Sequence, residues 1–147
     1  MEQKLTDPTN TPAGDRHPLP VRFIMPRPLT VPAVLLAAAR IVQAQGLWQG
    51  DYVPDPLDRE MTVPHSARPM SLVAAIKCAV SGDPHRTSQL ADTAIGFLAL
   101  SIGGGPTYGD IFSLEAHVEA WGDEPGRTGD DVVRMLELAA TAPERAA

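Results

Sequence analysis

From Thr30 onward, apolar residues recur every three or four positions in five separate runs, each bracketed by residues that start or stop helices. The first run, Val34, Leu35, Ala38, Ile41 and Val42, begins behind Thr30, tolerates Pro32 in its first turn and meets Gly46 as terminator. The second, from about Met70 to Val80, turns Leu72, Ala75, Ile76 and Ala79 to one side and stops at Gly82-Asp83-Pro84. The third starts at Thr87 or Ser88, carries Leu90, Ala94, Phe97 and Leu98, and ends before Gly103-Gly104-Gly105. Asp110 caps a fourth, with Ile111, Leu114, Val118 and Trp121 inward. Thr128 and Asp131 form a capping box for the fifth, which carries Val132, Val133, Leu136 and Ala140. These stripes, with no strong strand pattern, predict an all-α fold: a compact bundle of about five short amphipathic helices in one domain over residues 30–142.

Between the runs the pattern breaks. Residues 1–20 are polar and carry Pro8, Pro12, Pro18 and Pro20, so they bury too little apolar surface to offset the entropy of ordering and are expected to form a disordered arm. Residues 21–29 form an extended segment in which Val21 to Met25, hemmed by prolines, lie on the domain surface or pair as a short edge strand. Residues 47–69 contain Trp48, Tyr52, Pro54, Pro56, Pro64 and Pro69 with no helical period. A connection longer than about 15 residues is unusual in a compact domain, which marks either a functional loop or a flap packed by its own aromatics. Residues 143–147 are a short tail.

Composition narrows the functional classes. The net charge is −6 and the twelve Lys and Arg are scattered singly, so the basic stripe that phosphate backbones require is missing and nucleic-acid binding is disfavoured. Cys78 is the only cysteine, which excludes an intrachain disulfide, and no Cys/His spacing resembles a zinc site; no metal or cofactor is expected, and a reducing cytoplasm is the natural compartment. The longest apolar run, Ala33 to Ala39, is far below the ~20 residues that cross a bilayer, so no membrane association is expected.

Candidate chemistry is sparse. His65, Ser71 and Asp123 supply the residue types of a hydrolytic set, with Ser71 as nucleophile, His65 as base and Asp123 as orienter, although no nucleophile elbow surrounds Ser71 and a serine at a helix start is ordinarily a cap. In Trp121-Gly122-Asp123-Glu124-Pro125-Gly126-Arg127-Thr128, Trp121 anchors the fourth helix, Gly122 and Gly126 supply positive-φ turns, and Asp123 and Arg127 pair across the turn or line a binding notch. Gly103 to Asp110 reads as a flexible connector, since it lacks the Lys-Ser/Thr ending of a phosphate loop. Cys78 reads as a small buried hydrophobe, and His17, His85 and His117 as surface histidines. Trp48 and Tyr52 fold the long loop onto the bundle or stack on a partner.

The order Trp48-x-Gly50-x-Tyr52, then Ser71-Leu72-Val73-Ala74-Ala75-Ile76, then Trp121-Gly122-Asp123-x-Pro125-Gly126-Arg127-Thr128 and a closing amphipathic helix resembles an uncharacterised actinobacterial family of small helical domains. The resemblance spans roughly residues 30–140 and implies a single-domain protein with no established activity. This chain departs from the family pattern at Ser71, commonly Cys, at Gly122, commonly Asn, and at Ala74, commonly Gly. With no metal set, cofactor fingerprint, activated nucleophile or basic stripe in the sequence, the expectation is a non-enzymatic helical binding or regulatory module working through a protein partner or a homodimer at the surface formed by the 47–69 loop and the 121–128 turn, with Trp48, Tyr52, Arg68, Asp123 and Arg127 as contact residues. The alternative is a small-ligand binder or hydrolase-type enzyme whose pocket lies under the 47–69 loop and uses His65, Ser71, Arg68 or Asp123.

Overall fold

The computed structural model describes residues 27–105 and 109–142, and within them the chain forms five α-helices: α1 (Val31–Gln45), α2 (Leu72–Ser81), α3 (Gln89–Ile102), α4 (Ile111–Gly122) and α5 (Gly129–Thr141). Each begins on a side-chain oxygen that accepts a hydrogen bond from a backbone N–H of the first turn: Thr30 from Ala33, Ser71 from Ala74, Ser88 from Ala91, Asp110 from Ser113 and Thr128 from Asp131. Such caps satisfy donors that a helix cannot satisfy internally. At α5 the box closes both ways, because the Asp131 carboxylate accepts the Thr128 N–H at 3.0 Å. Thr128→Ala is therefore expected to cost about 1 kcal/mol, read as a lower urea midpoint with an unchanged slope. Gly82 ends α2 in the left-handed region at φ +85°, while Gly46 and Gly103 end α1 and α3.

Helix α1 is the centre of the bundle and packs on α5, α2 and α3, whereas α4 lies to one side against α3 and α2. Helix α2 is the most enclosed: every residue from Leu72 to Ala79 is buried, including Lys77. This helix starts at Leu72 rather than near Met70, because Ser71 takes the cap position and leaves Met70 in the preceding segment. Two other faces are turned from the expected positions. On α3 the buried set is Ala91, Ala94, Ile95, Leu98 and Ala99, with Leu90 and Phe97 half-buried, and on α5 Ala139 is buried where Ala140 is only partly covered. Alanines at these positions let the helices approach closely, so the larger neighbours sit at the rim. On α4 only Val118 and Gly122 are fully buried, as among the described residues it packs mainly on α3 and α2. Gly122 is also not a turn residue as expected; it is the last residue of α4, and a Cβ there would meet Leu72 Cβ at 3.5 Å. Gly126 does supply the positive φ, at +85°.

The 47–69 segment is irregular apart from a 3-10 turn over His65–Ala67, yet it is stitched to the bundle. The Trp48 N–H donates to Met70 O at 3.0 Å, Met70 N–H to Gly46 O at 3.3 Å and Ser71 N–H to Tyr52 O at 2.9 Å. Val53 and Met70 are fully buried beneath it. The expectations for residues 1–26, the tail 143–147 and part of the Gly103–Asp110 connector lie outside the described residues; residues 27–29 have no regular structure. Among the described residues no strand forms beyond the isolated Leu47–Met70 bridge, and no helix is long and apolar enough to cross a membrane.

Candidate functional site

Two features converge on the long loop, a chain of polar side chains along one flank and an open groove at its start. The polar chain begins inside. Lys77, the one charged residue in the buried stretch of α2, donates to the Tyr52 hydroxyl at 2.9 Å and pairs with Glu115 of α4 at 3.2 Å. Tyr52 in turn donates to Glu115 at 2.7 Å, so phenol, ammonium and carboxylate close a triangle joining loop, α2 and α4. Burial, then the bond to Glu115, pushes the Tyr52 hydroxyl well above the usual phenol range, which keeps it a neutral donor.

One helical turn further along α4, the Glu119 carboxylate accepts the Ser71 hydroxyl at 2.8 Å and the Val73 N–H at 3.1 Å. Burial raises its pKa to about 7; the two hydrogen bonds oppose that rise, and the nearby charges of Asp123 and Glu115 add to it. Ser71 is only 2% exposed, and its oxygen already accepts the Ala74 N–H at 3.1 Å while its proton is held by Glu119. The hydroxyl is therefore a cap and a tether between α2 and α4, closed to a substrate.

His65, Ser71 and Asp123, the hydrolytic set expected from sequence, are not hydrogen-bonded to one another. His65 engages Asp58 at 2.8 Å through Nε2 and His85 at 2.8 Å through Nδ1, while the Asp123 carboxylate accepts the Gly50 N–H at 3.2 Å. His85 is not an isolated surface histidine, for its ring also stacks on Tyr52 with centroids 5.7 Å apart. His117 meets Gly103 O at 2.9 Å, and the Cys78 thiol is pushed up by burial, which makes it a poor nucleophile.

Arg68 is a loop organiser, not a contact residue. Its guanidinium, buried at 2% exposure, donates to the carbonyls of Pro54, Asp55, Met61 and Val63 and to the Asp58 carboxylate at 2.6 Å. These bonds occupy every N–H that the group possesses. Asp55 completes the fold of the loop by accepting the N–H groups of Arg59, Glu60 and Met61, which hold its carboxyl below the usual range.

The Asp123–Arg127 pair expected across the turn does not form. Arg127 instead lies over the Trp121 ring, 3.8 Å from its centroid, and donates to Trp121 O at 2.9 Å. A weakly hydrated guanidinium gains more from an indole face and a carbonyl than from an exposed carboxylate. Asp123 is thereby left to hold Gly50, and Gln49 Nε2 reaches Gly122 O at 2.9 Å and Glu124 O at 3.1 Å. The start of the long loop is thus stapled to the α4–α5 turn.

That staple frames a groove of about 630 Å³ between the end of α1 and the start of α5. Val42, Leu47, Trp48 and Val133 give it apolar surface, and Gln43, Arg127 and Asp130 give it polar edges. Trp48 is 38% exposed here. Of the contact residues expected from sequence, Trp48 and Arg127 line this groove, Asp123 braces its wall, and Tyr52 and Arg68 belong to the loop's interior.

Sequence reasoning passed over Lys77, Asp58, Glu115 and Glu119. Lys77 carries a signal, being the one charge in an otherwise apolar eight-residue stretch of α2; Glu115 and Glu119, four residues apart on α4, carry none that sets them apart from solvated glutamates.

The fold and these sites define a small all-helical domain whose long loop is held by its own polar side chains. The chain belongs to a family of unknown function, DUF6197, whose model matches residues 26–142. No curated protein and no solved structure matches it.

Proposed function

We propose that this protein is a non-enzymatic helical binding module of the cytoplasm, acting through protein contacts at the groove between residues 46–49 and 127–130. The occupant is an extended peptide segment of a protein partner. The observation that carries this reading is the pairing of a 38% exposed Trp48 with walls braced by Gln49 and Asp123. A rigid aromatic beside a pre-formed concavity is the usual anchor of binding energy, because little entropy is lost when it is covered. Val42, Leu47 and Val133 suit an apolar side chain, and Gln43 at the edge suits main-chain amides. The competing reading, a small-ligand binder or hydrolase with a pocket under the 47–69 loop, is weaker, since Ser71 is engaged by Glu119 and the open pocket of about 370 Å³ lined by loop residues such as His65 and Arg68 includes neither Ser71 nor Asp123.

The test is selection from a displayed random peptide library on the purified protein, with sedimentation velocity run in parallel. Enrichment of peptides with a shared apolar position, lost with Trp48→Ala at unchanged helical circular dichroism, is the expected result. A concentration-dependent dimer that Trp48→Ala abolishes would replace the peptide by a second copy of the chain. Equal enrichment on both proteins would overturn the assignment of the groove.

A further inference from the structure

We propose that His65 and His85 together form a surface site for one divalent transition-metal ion of the Cu2+ or Ni2+ type, with Asp58 positioning His65. This site is separate from the groove at Trp48. The two rings come from different parts of the chain, the 3-10 turn and the loop between α2 and α3, and His65 Nδ1 stands 2.8 Å from His85 Nε2. Two nitrogens at right angles on a square-planar or octahedral ion, with bonds of about 2.0 Å, are separated by about 2.8 Å. The observed approach matches that spacing, so an ion set to one side of the line between the two nitrogens is reached by turning the rings, with little displacement of the backbone.

What distinguishes this pair from two chance neighbours is its support. Asp58 Oδ1 lies 2.8 Å from His65 Nε2, which places the proton on that nitrogen and leaves Nδ1 with the lone pair that accepts from His85 Nε2. A carboxylate behind an imidazole in this way fixes the tautomer and orientation of metal-bound histidines. Asp58 is itself fixed by the buried Arg68, and the two opposite charges offset each other. On the other side, the main-chain N–H of His85 donates to Asp83 Oδ1 at 2.9 Å and its ring rests on Tyr52 with only 20° between the planes. Without the ion His85 Nε2 carries the proton that it donates to His65 Nδ1; binding moves that proton to His85 Nδ1, and because His85 is exposed its ring can turn to aim the Nε2 lone pair at the ion. Among the described residues no group of three or more His, Cys, Asp or Glu side chains converges on a point, so water or an external ligand fills the remaining positions.

The experiment is titration of tag-free, full-length protein with Cu2+ alone, read by equilibrium dialysis and by the nitrogen hyperfine structure of the electron paramagnetic resonance signal. Wild type is expected to bind one ion with two coordinated nitrogens. His85→Ala, at an exposed position, is expected to retain the fold and to lose at least tenfold in affinity and one nitrogen from the signal. Asp58→Asn is expected to keep both nitrogens and lose about 10- to 100-fold in affinity. Wild-type binding unchanged in His85→Ala, or no binding by the wild type, overturns the site; unchanged affinity in Asp58→Asn overturns the positioning role of Asp58.

Discussion

Arg68→Ala is expected to be the most damaging single substitution outside the apolar core, lowering stability by about 3–5 kcal/mol. The guanidinium substitutes for secondary structure: Pro54, Asp55, Met61 and Val63 have their carbonyls bonded to it, not to a helix or sheet. Removing it leaves the carbonyls of Pro54, Met61 and Val63 without that donor, Asp55 O with the Asp58 N–H alone, and the Asp58 carboxylate without its 2.6 Å partner, and opens a cavity where the buried side chain lay. Arg68→Lys is expected to recover little of the loss, since one ammonium carries fewer donors and cannot address five acceptors in the plane of a fork. For a domain of this size the loss corresponds to a fall of roughly 10 °C or more in melting temperature. Limited proteolysis gives an independent reading, because cuts should concentrate in 54–67 before the helices are attacked. A melting temperature within about 2 °C of wild type would show that the loop stands without its arginine.

Much of this architecture was legible in the sequence, and the legible part is local. Each helix announces itself by a cap: Thr30, Ser71, Ser88, Asp110 and Thr128 all stand where an acceptor is needed for first-turn N–H groups, and an acceptor acts over three residues whatever the fold. The faces were legible only approximately, since which side of α3 is buried depends on where α1 and α4 lie against it. The loop was readable as a loop, but its organisation was not. Arg68 meets carbonyls five to fourteen residues upstream, and a buried arginine on irregular backbone has no periodicity to betray it. The pairings that define the candidate sites are longer still: Tyr52 with Glu115, Ser71 with Glu119, Gln49 with Gly122. In the sequence Glu115 and Glu119 look like the solvated face of a helix, and it is the loop and α2, meeting them through Tyr52, Lys77 and Ser71, that cover them.

Stability is expected to fall as the pH rises from about 5 to 8, and Glu119→Gln is expected to remove most of that slope. In the folded protein the Glu119 carboxyl is pushed up from an ordinary 4.5 to about 7, chiefly by burial. Between those values the folded chain keeps a proton that the unfolded chain has released, so raising the pH favours unfolding. The contribution is fully present below 4.5 and is lost as the pH passes through about 7, with a ceiling of about 3 kcal/mol that residual solvent contact reduces. Asp55, Asp58, Asp110 and Asp131 act in the opposite sense, since hydrogen bonds hold their carboxyls low; their stabilisation is present above 3.8 and fades as the pH falls through their folded values. The maximum therefore lies at about pH 4 to 5, above the Asp range and before Glu119 begins to oppose folding. In Glu119→Gln the amide oxygen can still accept from Val73 and the amide N–H can donate to the Ser71 oxygen, so the tether between α2 and α4 is kept without a charge. Glu115 and Asp123 face the same position and are common to both proteins, as are the histidines, so the difference between the two curves isolates Glu119. Urea midpoints measured from pH 4.5 to 8.5 should converge at the acid end and separate at the alkaline end, with the variant the more stable at pH 8; parallel curves would mean that Glu119 is already ionised throughout and that its burial exerts no hold on the fold.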